Sequence, residues 1–97
     1  MKSIVEFREM FQNDQLPSIQ ELISDEAPEN KEQILKHLKS FKVHAVAPGI
    51  MRDCITKERI PGALCSYNDG EFYWRSDMIY YFERYNIKLC DEFLERF

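Results

Sequence analysis

Leu64-Cys-Ser-Tyr67-Asn68-Asp69-Gly70-Glu71-Phe72-Tyr73-Trp74 decides the fold. Two runs of strand-forming residues, Leu64 to Tyr67 and Glu71 to Trp74, flank Asn-Asp-Gly. Asp-Gly readily adopts the positive φ angles of a tight turn, so the stretch predicts a β-hairpin. Directly after it, Ser76 is placed to cap a helix with Asp77 in its first turn, and Met78, Ile79, Phe82 and Tyr85 recur at helical spacing. Asn86 is a suitable stop. Asp91 to Phe97 adds a further turn or two with Phe93, Leu94 and Phe97 on one side. Nine of the 13 aromatic residues lie between Phe72 and Phe97. This tail must therefore supply much of the core; whether Trp74 lies in that core or at an interface is left open by the sequence.

Upstream of the hairpin the apolar period is also that of strands. Val43, Ala45 and Ala47 alternate with His44 and Val46 up to the break at Pro48-Gly49. Ile50 to Thr56 reads as a second strand, Lys57 to Arg59 as a turn, and Ile60 to Tyr67 as a third strand disturbed at its start by Pro61-Gly62. With the strand from Glu71, these make an antiparallel meander of three to four strands. The first 40 residues read as helices. Ser3 and Glu6 have capping-box spacing ahead of a helix over 4–13, and Ser18 and Glu21 repeat it after Pro17 for a short helix over 19–24. Pro28 opens a third helix over 28–39, with Ile34, Leu35 and Leu38 as its apolar stripe and His37 on its charged side. The expectation is one α+β domain over residues 1–97, with N-terminal helices, a central antiparallel meander and a C-terminal helix packed on the sheet.

Composition bounds the function. Hydrophobic residues at 44% and charged ones at 31% are a globular balance, and 97 residues leave room for a single core. No apolar run approaches the roughly 18 residues of a membrane span, and the charges at Glu6, Arg8 and Glu9 interrupt any apolar leader. Three widely spaced cysteines suit free thiols in a reducing compartment, which points to the cytoplasm. The net charge of −4 is spread as −3 over residues 1–40, +1 over 41–75 and −2 over 76–97. No segment is basic enough to hold a phosphate backbone by charge, so a basic protein is a more natural partner than nucleic acid.

Catalytic and metal-binding patterns are not evident. Two histidines and three scattered cysteines include no CxxC pair, and a tetrahedral metal site needs four well-spaced donors. Neither His37 nor His44 is tied by spacing to a nucleophile, and the isolated Pro-Gly pairs cannot cradle phosphate. No cofactor is expected, and the chain is read as non-enzymatic. Asp53, Glu58, Asp69, Glu71 and Asp77 fall in strand turns and at the head of the tail helix, interleaved with Tyr67 and Tyr73. Acidic residues around aromatic anchors have the makeup of an interface for a basic protein. These seven residues form the candidate partner-binding set.

Val43-His-Ala-Val-Ala-Pro-Gly49, Ile60-Pro-Gly62, Asp69-Gly-Glu-Phe-Tyr-Trp-Arg-Ser-Asp77, Tyr80-Tyr81 and Tyr85-Asn86 resemble small bacterial proteins to which no chemistry is attached. Some such acidic proteins are similar to immunity proteins, which neutralise a co-produced toxin by binding over its active site. The resemblance covers the chain from Val43 onward and carries over no site residue. It implies a toxin domain as partner. The alternatives are a structural or regulatory subunit that pairs with itself through the aromatic tail or an exposed strand edge, and a small enzyme. The oligomeric state is left open by the sequence.

Overall fold

A computed structural model describes residues 1–97, an α+β domain measuring 31 × 29 × 24 Å. The hairpin is its centre. Strands β5 (Leu64–Asn68) and β6 (Phe72–Arg75) pair antiparallel, with Tyr67 opposite Trp74 and Asn68 opposite Tyr73. This register makes Gly70 and Glu71 the central turn residues, one position later than Asp-Gly predicts. Gly70 takes the positive φ of 94°, which favours glycine at the first central position. Asp69 shapes the turn from outside it: its Oδ1 accepts the amides of Glu71 at 3.0 Å and Phe72 at 2.8 Å.

Two further strands complete a mixed sheet in the order β1-β6-β5-β2. Strand β2 (Ala45–Ala47) runs antiparallel to β5 at one edge, and β1 (Lys2–Ser3) runs parallel to β6 at the other. The expected helix over 4–13 is thus replaced by a strand and a single turn, α1 (Arg8–Phe11). Ser3 is not a cap; its hydroxyl donates to the carbonyl of Val5 at 2.7 Å. The reason lies in Ile4, Val5 and Phe7, all nearly or fully buried. One helical stripe would leave part of this dense run exposed, whereas the non-helical stretch between β1 and α1 buries all three.

Strands β2, β5 and β6 form the expected antiparallel set of three, and the expectation is corrected only for the segment between β2 and β5. Strands β3 (Met51–Arg52) and β4 (Arg59–Ile60) leave the main sheet and form a separate two-stranded ribbon. The two Pro-Gly pairs bracket this excursion, with Gly49 and Gly62 at positive φ of 124° and 92°. Pro lacks the amide that a continuous ladder needs, and such glycines turn the chain out of the sheet.

Local signals set the remaining helices. Helix α2 (Ile19–Leu22) carries the Ser18–Glu21 capping box, and Glu9 reinforces it by accepting the Ile19 amide at 2.9 Å and the Ser18 hydroxyl at 2.6 Å. Helix α3 (Lys31–Lys39) begins after Pro28, whose carbonyl accepts the Lys31 amide. Strand β6 passes without a loop into α4 (Ser76–Tyr85), which packs on β5 and β6 and ends at Asn86 in the left-handed region. Ser76 does not cap α4; its hydroxyl accepts the Cys65 amide and donates to the Ala63 carbonyl, pinning the helix start to β5. A last turn, α5 (Asp91–Leu94), inserts Phe93.

The core unites residues from both ends of the chain, among them Ile4, Phe7, Ile34, Leu38, Trp74, Phe82 and Phe93. Trp74 is fully buried and its indole N–H donates to the Leu38 carbonyl at 3.1 Å. No helix is long and apolar enough to cross a membrane.

Candidate functional site

The seven residues of the acidic, aromatic set separate into different environments. Asp53 is fully buried where the β3–β4 ribbon meets α4. Its Oδ1 accepts the amides of Ile55 at 2.7 Å and Thr56 at 3.1 Å, folding the ribbon turn around it. Its Oδ2 accepts the hydroxyls of Tyr80 at 2.8 Å and Tyr85 at 2.5 Å. Burial pushes the carboxyl up, but these four hydrogen bonds outweigh it and bring the pKa down to about 2. Burial and the same bond push Tyr85 up to about 12. Arg84 lies across the rim, 3.8 Å from Asp53 and 3.7 Å from exposed Glu58. Next to it, the Tyr81 hydroxyl accepts the Cys54 amide and donates to the Arg52 carbonyl, a second tie between ribbon and helix.

Asp69 forms a second hub that shares no partner with the first. Besides the two hairpin amides, it receives His37 Nε2 at 3.0 Å and Arg96 Nη1 at 2.6 Å on Oδ2. Burial again acts against ionisation, and the two amides and two side-chain donors overcome it, holding the carboxyl well below the ordinary carboxylate range. His37 is not on a solvated face, as helical spacing alone predicts. Its ring packs against Phe41, Phe97, Trp74 and Phe93 at centroid distances of 5.0 to 5.8 Å. The hub thereby joins α3, the hairpin and the C-terminal turn. Tyr67, half-buried, stacks on Trp74 beside it, and Glu71 is exposed at the turn.

Asp77 is buried in the first turn of α4 and takes a two-pronged contact from Arg75, at 3.1 Å to Nε and 2.7 Å to Nη2. Tyr73 alternates with buried Phe72 and Trp74 along β6 and is half-buried on the opposite face. Three of the five acids are therefore enclosed by the fold, and Glu58 and Glu71 are the two left on the surface. Neither Asp53 nor Asp69 lines any of the five main cavities. No three His, Cys, Asp or Glu side chains converge as metal ligands, and the three cysteines are unpaired.

The distinctive surface lies at the other end of the sheet. Strand β2 has β5 on one side and no strand on the other. Every residue from Lys42 to Ile50 is exposed, and Val43, Val46 and Ile50 keep 49%, 62% and 60% of their surface in water. Apart from Met1, these are the only large apolar residues left exposed, so this concentration stands out. A shallow groove of about 200 Å³ runs along β2 and β5, lined by Ala45, Val46, Leu64 and Arg75. Leu64 and Arg75 also border a second cleft of about 230 Å³, which continues past Ile50 to Phe7 and Met10. The sequence signal for this surface is the absence of charge from Val43 to Met51. Alternation alone does not reveal it, because a strand in the middle of a sheet has the same pattern.

The fold and surface thus define a small α+β domain whose β2 edge is exposed along its length. No protein-family model, no curated protein and no solved structure gives a significant match to the chain.

Proposed function

We propose that this chain is a non-catalytic protein-binding domain that engages its partner through the free edge of β2. The observation that carries the reading is the uncovered, uncharged edge of β2, with Val46 on it and Val43 and Ile50 flanking it, each about half or more exposed. An edge of this kind offers unpaired backbone donors and acceptors to an incoming strand, and the flanking groove offers contacts for its side chains. The buried carboxylates serve cohesion. A general acid or base must reach substrate, and Asp53 and Asp69 are closed in by their own hydrogen-bond partners.

The immunity-protein resemblance makes a bacterial toxin domain the first partner to test. Tagged wild-type, Val46→Lys and Glu58→Lys/Glu71→Lys proteins would be used to capture partners from an extract of the producing cells, or mixed with a purified toxin domain. A partner kept by the double glutamate variant and lost by Val46→Lys supports the β2 edge. Loss with the glutamate variant alone would transfer the interface to the two exposed acids.

A further inference from the structure

We infer that the strand seated on the β2 edge is β2 of a second copy of this chain, giving a two-fold dimer with a sheet continuous through both subunits. This rests on the reading of β2 as a binding edge and puts a second copy, in place of a toxin domain, on it. Charge is the first argument. The two longest stretches without Lys, Arg, Asp or Glu are residues 43–51 and 60–68, nine residues each. The fold places them side by side as β2 and β5, so the outer half of the sheet carries none of these residues along its strands. Two copies of net charge −4 repel one another, and contacts through their acidic surfaces would set like charges together. Across β2 they approach without that opposition.

Symmetry is the second argument. A two-fold interface must be complementary to itself. The run between Lys42 and Pro48 is Val43–Ala47, with Ala45 at its midpoint. An antiparallel pairing about Ala45 sets Val43 opposite Ala47 and His44 opposite Val46, while each Lys42 meets Pro48 rather than another cation. No side chain in Ala45–Ala47 is larger than valine, and His44 is the one larger side chain in the paired run. An inward-pointing charge and a covering loop are missing over these residues; of the usual guards of an edge strand only its shortness and the flanking Lys42 and Pro48 are present. The contact is short, below the roughly 1,200 Å² of standard interfaces, so the dimer is expected to be weak and to depend on concentration.

Sedimentation velocity on the whole chain from roughly 5 to 500 µM, at low and high salt, tests the inference. The wild type should pass from monomer to dimer within that range, and salt should strengthen the dimer by screening the repulsion of two acidic chains. Val46→Lys should weaken it about tenfold or more by setting an ammonium into each half of the contact. Amide exchange in the wild type gives an independent readout: protection over residues 43–47 should rise with protein concentration. A wild type that stays monomeric, or exchange there that ignores concentration, overturns the second copy as occupant. A dimer that Val46→Lys leaves intact overturns this surface. If the wild type is monomeric yet Val46→Lys loses a captured foreign partner, the dimer fails while the edge reading stands.

Discussion

Replacing Asp53 by Asn tests whether one buried carboxylate holds the β3–β4 ribbon to α4. The side chain is fully buried and accepts four hydrogen bonds, two from ribbon amides and two from tyrosines of α4. Asn keeps one acceptor oxygen for the amides but loses the charge and turns an NH₂ group toward Tyr80 and Tyr85. The folded pKa of about 2 against the ordinary aspartate value of 3.8 corresponds to about 2 kcal/mol of stability at neutral pH. The folded pKa is the lower one, so this contribution is complete well above pH 4 and is lost as pH falls toward 2. About half of it should be gone by pH 3. Urea denaturation followed by the fluorescence of Trp74, the single tryptophan, measures it directly. Asp53→Asn should be less stable than wild type by about 2–3 kcal/mol at pH 7, with the gap narrowing between pH 5 and pH 3. A gap below about 0.5 kcal/mol at pH 7 would refute the reasoning. So would a gap that does not change with pH.

Four further substitutions probe other parts of the fold. Phe82→Ala removes a buried ring from α4 and should cost about 3–5 kcal/mol in the same denaturation assay. Gly70→Ala meets no neighbouring atom but must hold a φ of 94°; it should cost about 1 kcal/mol or more, read as a lower thermal midpoint. Asp69→Ala strips the acceptor from two hairpin amides, His37 and Arg96 and should destabilise by about 3–5 kcal/mol, whereas Arg84→Ala at the exposed rim of Asp53 should cost under about 1 kcal/mol. Calorimetry on this pair separates a buried hub from a surface contact.

The sequence shows those elements whose causes lie within a few residues. The Ser18–Glu21 box, the Ile34-Leu35-Leu38 stripe, the hairpin and the Asn86 stop are all local, and the structure contains each of them. Ser3 and Glu6 carry an equally good local motif, yet burial of Ile4, Val5 and Phe7 against distant residues overrides it. The acids fail to read correctly for the same reason. In the sequence Asp53 and Asp69 are turn aspartates like any other, and their enclosing partners lie 27 and 32 residues away at Tyr80 and Tyr85, and 32 and 27 away at His37 and Arg96. His37 looks solvated because helical spacing locates it relative to its own helix and not to the aromatic rings supplied by the sheet and tail.

The parallel pairing of Lys2–Ser3 with Phe72–Tyr73 has a consequence for the order of assembly. During synthesis the first residues of the chain must wait until some seventy more have emerged before their sheet partner exists. Closing so long a loop is entropically slow compared with forming the hairpin or α4. The hypothesis that follows is that β1 docks last, onto a subdomain already built from the hairpin and α4. Ile4→Val should then accelerate unfolding while leaving the refolding rate nearly unchanged, and a matching slowdown in refolding would place β1 in the nucleus instead.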